Sequence, residues 1–290
     1  MLYAILAALC FGFRGILYHW TSQRGLDRNA MLCGVFATGM VISLLAGAAS
    51  GQAWTRETLI GIVMGVCSFS ANASLYKGFA VGKASIIAVL TALPAVVVVG
   101  LAYIFWGETL SLWQTVAFVV IVASLVMIRY SNDISLKNLQ GAQWGVLAMV
   151  FFAFNDVAGK QSTLLGASML PTLFFMFLTG SALFGASWWA ETARRRAAGV
   201  PAVANRLGWG DGKVFLWGMV VGLTNLGGMV LILEAFARGV TGLVSAVVAM
   251  NIVLILVYTK VFVKVSFKRL ELAGMTLAIA GILVLKALGG

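Results

Sequence analysis

Arg14 is the residue of this sequence whose surroundings point most clearly to chemistry. It lies within an apolar run, ILAALCFGFRGILYHW, at residues 5–20. An arginine at the centre of a membrane span costs about 2.5–3.5 kcal/mol on insertion scales, so we expect its side chain to face a protein interior or a wet cavity. The guanidinium is a planar fork that matches a carboxylate or a phosphate. Arg14 is therefore a candidate anion contact, with Tyr18 one helical turn away as a neutral hydrogen-bonding group.

Asn155 and Asp156 form a second polar pair in a later apolar run. Two interpretations are open. Arg14 and Asp156 either satisfy each other or nearby carbonyls and hold helices together, or they present opposite charges to a substrate that carries a carboxylate and an amine. In the second case Asp156 is an ammonium contact or a proton carrier, and Asn155 supplies a neutral hydrogen bond. Helix geometry places the two charges about 10 Å apart along the membrane normal, so a direct ion pair needs the full reach of the arginine.

The composition of the chain indicates a membrane protein. Hydrophobic residues make up 61% of the 290 residues and charged residues 10%, against about 45–50% and 25% in soluble domains. Runs of roughly 17–25 apolar residues, the length that crosses a hydrocarbon core, occur ten times. We predict an all-α membrane protein with spans near 2–20, 29–49, 58–77, 84–105, 111–129, 142–160, 168–190, 213–236, 240–262 and 268–287.

The chain also aligns to itself. GFAVGKASIIAVLTALPAVV, which starts at Gly78, aligns without a gap to AFARGVTGLVSAVVAMNIVL, which starts at Ala235, at a shift of 157 residues. FGFRG at Phe11 aligns to FAFND at Phe152 at a shift of 141 residues. The sequence therefore predicts two five-helix units.

These units cover residues 1–130 and 141–290, with a connecting loop at 131–140. Because five is odd, units that fold alike must cross the membrane in opposite senses. This gives an inverted repeat around a central cavity, an arrangement typical of transporters.

The stretch that starts GKASIIAVLTALPAVVVVGLAYIFWGETL and the closing ELAGMTLAIAGILVL resemble the drug/metabolite transporter superfamily, in its ten-helix EamA-type branch. The strongest matches are Gly82, Pro94, Gly107 and Glu108. The resemblance covers essentially the whole chain and implies a helical bundle with a central cavity and alternating access. It does not imply a substrate, since known relatives export amino acids and other metabolites or carry nucleotide sugars.

The second half departs from the pattern of the first. It has Asn251 where the first half has Pro94, and Lys264–Val265 where the first half has Gly107–Glu108. The sequence therefore gives no firm ground for a functional role at these positions.

The remaining candidate residues lie inside the spans or at their ends. Asn72 and Asn225 are intramembrane amides that either contact the substrate or join helices. Lys77 and Glu234 are equivalent under the 157-residue shift and so belong near opposite membrane faces. They are either gates that open alternately or side chains that snorkel to the interface, and Glu234 is also an alternative proton site. Pro94 is expected to kink the fourth span beside the site.

The distribution of positive charge predicts an orientation. Of the 20 lysines and arginines, fifteen follow odd-numbered spans, four follow even-numbered spans or end the chain, and Arg14 lies within a span. The positive-inside rule then places both termini outside the cytoplasm. Relatives in the superfamily are thought to have cytoplasmic termini, and we follow the charges of this chain. We expect a bacterial inner (plasma) membrane.

Several function classes are disfavoured by what the sequence lacks. It has no HExxH, GxSxG or GxxxxGK[ST] motif, and its three cysteines and one histidine are scattered, so we expect no catalytic residue, no metal and no cofactor. Partners are expected to be a small-molecule substrate and the lipid bilayer, not nucleic acid, with a monomer as the working unit. The sequence predicts a secondary transporter that moves small polar or amphipathic metabolites, such as amino acids, by alternating access. The alternative is a flippase or carrier for a lipid-linked or phosphorylated metabolite.

Overall fold

The computed structural model describes residues 1–81, 84–129, 141–199, 205–262, 264 and 269–288. Within these residues the chain forms twelve α-helices, a short 3-10 turn at Arg56–Leu59 and no strand. The first unit contains α1 (Leu2–Ser22), α2 (Arg28–Ala49), α3 (Ile60–Val81), α4 (Ala84–Leu90), α5 (Pro94–Trp106) and α6 (Leu112–Arg129). The second contains α7 (Ala142–Leu164), α8 (Met169–Ala197), α9 (Asp211–Arg238), α10 (Thr241–Ala249), α11 (Asn251–Phe262) and α12 (Arg269–Leu288). Gly82 and the loop at 131–140 lie outside the described residues.

The fourth span of each unit is broken into two helices. α5 begins at Pro94, whose missing N–H and fixed φ suit the first turn of a helix. In the second unit α11 begins at Asn251, the repeat counterpart of Pro94, so the break occurs there without a proline. With each broken pair counted as one crossing, the described helices give the ten crossings that the sequence predicted. Eight of these segments are long and apolar enough to span a membrane, and α6 has a shorter apolar stretch.

Equivalent helices of the two units run in opposite directions. Asn29, in the first turn of α2, donates from Nδ2 to Glu191 near the end of α8 at 3.0 Å. Gln52, just after α2, accepts from the backbone N–H of Leu170 at the start of α8 at 2.9 Å. α2 and α8 are thus antiparallel, and because they hold the same place in the two units, the predicted inverted repeat is confirmed.

Helix packing follows the same two-fold relation. α2 packs on α9 as α8 packs on α3, and α1 packs on α9 as α7 packs on α3. Two equivalent pairs, α2 with α8 and α6 with α12, also contact each other. Phe36 of α2 and Phe177 of α8 are repeat counterparts, and their rings meet edge to face with centroids 5.6 Å apart.

Small residues allow the two units to pack closely. A Cβ atom at Gly61 of α3 would clash with the carbonyl oxygen of Thr172 in α8, and one at Gly218 of α9 would clash with that of Met31 in α2. Gly61 and Gly218 are related by the 157-residue shift, and Met31 and Thr172 by the 141-residue shift. The same backbone contact is therefore made twice, as small-residue packing between membrane helices requires.

The bundle has two ends that we name for the rest of the description. End A is where α1 ends and α2 begins, and it includes Trp20, Arg28 and Glu191. End B is the opposite end, where α1 begins and α7 ends, and it includes Tyr3 and Lys160.

Candidate functional site

A cavity of about 670 Å³ opens at end A, with walls mainly from the first unit and with Glu191 and Arg195 of α8 from the second. Its walls come from the end of α1, the start of α2 and the ends of α3 and α8. Two of the residues predicted from the sequence, Tyr18 and Asn72, line it, together with Arg28, Tyr76 and Glu191. The volume suits a small organic molecule.

Arg14 lies one helical turn deeper than Tyr18 along α1. Its Nη1 donates to Oδ1 of Asn225 in α9 at 2.5 Å. Its guanidinium carbon is 4.4 Å from the ring centroid of Phe11 and 5.7 Å from that of Tyr18. Asn225 is buried, while Arg14 is half-buried. The structure therefore brings three predicted residues, Arg14, Tyr18 and Asn225, into one cluster.

Asp156 belongs to a separate cluster on α7 and α10. Its Oδ2 accepts from Oγ of Ser245 at 2.6 Å. No ion pair joins Arg14 to Asp156 among the described residues, so these two charges do not satisfy each other. Their partners are Asn225 and Ser245, each on another helix. Whether the charges join helices or contact a substrate stays a prediction.

Asn155, beside Asp156, has a buried Oδ1 with no hydrogen-bond donor in the part of the chain that the structure describes. Under the 141-residue shift it is the counterpart of Arg14. An amide oxygen with no donor inside a membrane protein is costly, which makes Asn155 a candidate acceptor for a group brought by a ligand.

Arg28 lines the cavity, although its place between two spans indicates from sequence only a charge that orients the protein in the membrane. Its Nη2 donates to the backbone oxygen of Asn72, and its guanidinium lies 4.3 Å from the ring centroid of Tyr76. Tyr18 lines the same cavity as Arg28, and its ring centroid lies 5.7 Å from the guanidinium carbon of Arg14. The available signal was its place in the first turn of a span, where a long side chain can reach back into the bundle.

A polar network centred on Lys160 of α7 joins the helices at end B. The Lys160 Nζ lies 3.3 Å from Oε1 of Glu108 and donates to the backbone oxygens of Phe236 at 2.8 Å and Gly239 at 3.1 Å. Glu108 also accepts from the N–H of Thr241 at 2.8 Å and from its hydroxyl at 3.0 Å. The network joins α7 to the end of α5 and to the connection between α9 and α10.

The sequence gives little sign of this network. The repeat counterpart of Glu108 is Val265, and Lys160 lies in the last turns of a span, where a long side chain usually reaches the interface. Lys160 is in fact 8% exposed. A buried lysine needs a charged or hydrogen-bonding partner. Glu108, which directly follows the fourth span, is the acidic residue that provides it at end B.

The two proposed gating residues lie at opposite ends of the bundle, Lys77 exposed and Glu234 half-buried. Lys77 at end A is exposed, with Nζ 4.0 Å from the ring centroid of Trp144. Glu234 at end B pairs with Arg238 one turn further along α9, at 2.7 Å. Neither is among the residues that line the end A cavity.

Two inverted five-helix units with a cavity at one end define the class: a multi-pass membrane protein built like a transporter. The model of the EamA-like transporter family matches residues 1–130 and 139–286, and the chain belongs to that family. It is also similar to a solved structure titled "Crystal structure of protein", at 14% identity over 98% of each chain with a TM-score of 0.74, which shows the fold alone. A search of curated proteins found no match.

Proposed function

We propose that this protein is a secondary transporter that moves small polar or amphipathic metabolites, such as amino acids, across a bacterial inner membrane by alternating access. The observation that carries the proposal is the contrast between the two ends. The cavity is open at end A, and the Lys160–Glu108 network joins the helices at end B. A pocket in a bundle of inverted repeats, reachable from one face at a time, is what alternating access requires.

The cavity walls support a polar substrate with an apolar part. Arginine, tyrosine and asparagine side chains stand beside Leu75 and Phe79. Arg14, Tyr18, Asn72 and Asn225 are the proposed substrate contacts. Asn155 and Asp156 lie deeper in the bundle and would meet a substrate in transit.

Counterflow in liposomes tests the transport activity. Purified protein is reconstituted into vesicles loaded with an unlabelled amino acid, and uptake of the labelled compound is followed for each member of a metabolite panel. A carrier gives saturable uptake that the internal compound accelerates. Flux that rises linearly with concentration, or flux equal to that of empty vesicles across the whole panel, would contradict the proposal.

Cysteine labelling tests alternating access. In a background without Cys10, Cys33 and Cys67, the variants Tyr76→Cys and Leu233→Cys report on repeat-equivalent positions. Tyr76 is 57% exposed and Leu233 is 2% exposed, so a membrane-impermeant maleimide should react with the first and spare the second. A transported solute that shifts the protein between the state open at end A and the state open at end B should change the two labelling rates in opposite directions. Rates that rise or fall together would sink the alternating mechanism.

We also propose that both termini are outside the cytoplasm, so that end A faces the cytoplasm. The fifteen-to-four division of positive charge supports this orientation. An enzyme reporter that is active only outside the cytoplasm should be active when it is fused after residue 290, and a fluorescent reporter that matures only in the cytoplasm should stay dark. Activity confined to the cytoplasm would reverse the assignment.

A further inference from the structure

Two arginines of the end A region have no carboxylate partner. Among the described residues, Arg14 and Arg28 take part in none of the ion pairs, which use Lys160, Arg195 and Arg238 as their cations. Arg14 uses Nη1 for Asn225, and Arg28 uses Nη2 for the backbone of Asn72. A guanidinium has five N–H donors, so each of the two has donors left for a ligand.

The acidic groups of the cavity are already engaged. Glu191 pairs with Arg195 and accepts from Asn29 at 3.0 Å. Asp27 accepts from the N–H of Ala30 at 2.8 Å as the cap of α2, and its other oxygen lies 3.9 Å from Arg195. Asp27 also interacts electrostatically with Arg28. The two carboxylates therefore offset two of the three guanidiniums of Arg14, Arg28 and Arg195. This leaves one net positive charge in the region around Tyr18.

An unpaired charge away from bulk water is costly, and proteins usually supply an internal counterion. Arg28 instead borders open cavity volume, where a bound anion could act as the counterion. Arg28 and Tyr18 both line the cavity, and the guanidinium carbon of Arg14, one helical turn below, lies 5.7 Å from the Tyr18 ring centroid. An anion bound beside the Tyr18 ring could accept from both guanidiniums and from the tyrosine hydroxyl.

We propose that the end A cavity binds an anionic group of the transported solute, a carboxylate or a phosphate, through Arg14 and Arg28. This inference rests on the transport function proposed above and narrows it to organic anions. Amino acids then bind through their carboxylate, and dianions bind more tightly than monoanions of the same size. Amines without an anionic group are excluded from the site.

A charge series of equal shape tests the proposal on the purified full-length protein. Succinate, succinamate and succinamide carry two, one and no negative charges on the same carbon skeleton. Glycerol phosphate, with glycerol as its neutral control, tests whether a phosphate binds as a carboxylate does. Binding is measured by thermal shift and isothermal titration at constant ionic strength. We expect affinity to fall from dianion to monoanion and to vanish for the neutral amide. The diamine putrescine should not bind.

Variants tie the effect to the two arginines. Arg14→Gln and Arg28→Gln should each weaken anion binding about 10- to 100-fold, the range for losing a charge-assisted contact. Arg14→Lys and Arg28→Lys keep the charge and lose the fork, and should fall between. The matched control is Arg24→Gln, since Arg24 stacks 3.6 Å from the ring centroid of Trp20 and does not line the cavity.

The outcomes separate this inference from the proposed function. Equal binding along the charge series, undiminished binding in both glutamine variants, or no binding of any anionic probe would overturn the anion site. Saturable counterflow of neutral or cationic solutes would then leave the transporter proposal standing. Should anions bind as expected while no vesicle flux appears, the transport function fails instead.

Discussion

End A and end B are made by equivalent helices of the two units, but their helices are joined by different residues. The comparison is sharpest at His19 and Lys160, which the 141-residue shift relates. Lys160 at end B has an ion pair and two backbone acceptors. His19 at end A lines the cavity with a buried Nδ1 that has no partner among the described residues, and its ring meets Tyr258 edge to face at 6.1 Å.

The remaining members of the end B network also lack counterparts at end A. Glu108 corresponds to Val265 and Thr241 corresponds to Ala84, so the sequence at end A provides neither a carboxylate nor a hydroxyl at those places. Duplication has preserved the helix packing but not the chemistry of the two ends. Any closure of end A must therefore use other residues than the counterparts of the end B network.

Replacing Lys160 should have the largest effect on stability. Lys160→Met leaves Glu108 without its cation, which we expect to cost about 3–5 kcal/mol in the free energy of unfolding. His19→Met removes no hydrogen bond from Nδ1 and should change that free energy by less than about 1 kcal/mol. Thermal and chemical denaturation of both variants in one detergent measures the contrast.

The double variant Lys160→Met/Glu108→Gln is the control for a coupled pair. It should recover part of the loss, since no charge is then left unpaired. Similar losses at the two equivalent positions, or strictly additive losses in the double variant, would show that the two ends do not differ as the structure indicates.

The packed middle of the bundle should respond equally in the two units. Gly61→Ala and Gly218→Ala place the same new atom against equivalent carbonyl oxygens. Each should lower the free energy of unfolding by about 1–3 kcal/mol, the usual cost of overpacking. Gly100→Ala, where a Cβ meets nothing within 4 Å, should be neutral or slightly stabilising. A loss confined to one of the equivalent glycines would mean that the repeat symmetry is not reflected in stability.

The sequence predicted the symmetric part of the molecule well and the asymmetric part poorly. Span lengths, the two shifts and the odd number of crossings follow from hydropathy and repetition, and so they gave the inverted bundle. The partners of Arg14 and Asp156 depend on helix rotation, which spacing along one helix does not reveal. Asn225 and Ser245 are the hydrogen-bond partners of these charges because they lie opposite them on helices that are far apart in the sequence.

The same reasoning explains why Arg28 and Glu108 were undervalued. A search for repeated residues favours what the two units share, whereas both of these side chains act at one end only. Counting charges by loop treated Arg28 and Lys160 as orientation signals. Their roles depend on how far each side chain reaches into the bundle, and only the packed structure fixes that.

Lys77 and Glu234 should give the smallest effects. Lys77→Gln removes a cation–π contact at an exposed position, and Glu234→Gln removes an i,i+4 pair whose arginine is exposed and whose glutamate is half-buried. Each should change the free energy of unfolding by about 0.5 kcal/mol or less. The gating interpretation predicts a change in access to end B, which a measurement of stability does not detect. If Glu234 held end B shut, Glu234→Gln would speed the labelling of Leu233→Cys. We expect no change, because the Arg238 partner is 61% exposed while Lys160 holds the helix ends from inside, and Lys160→Met is the variant that should speed the reaction.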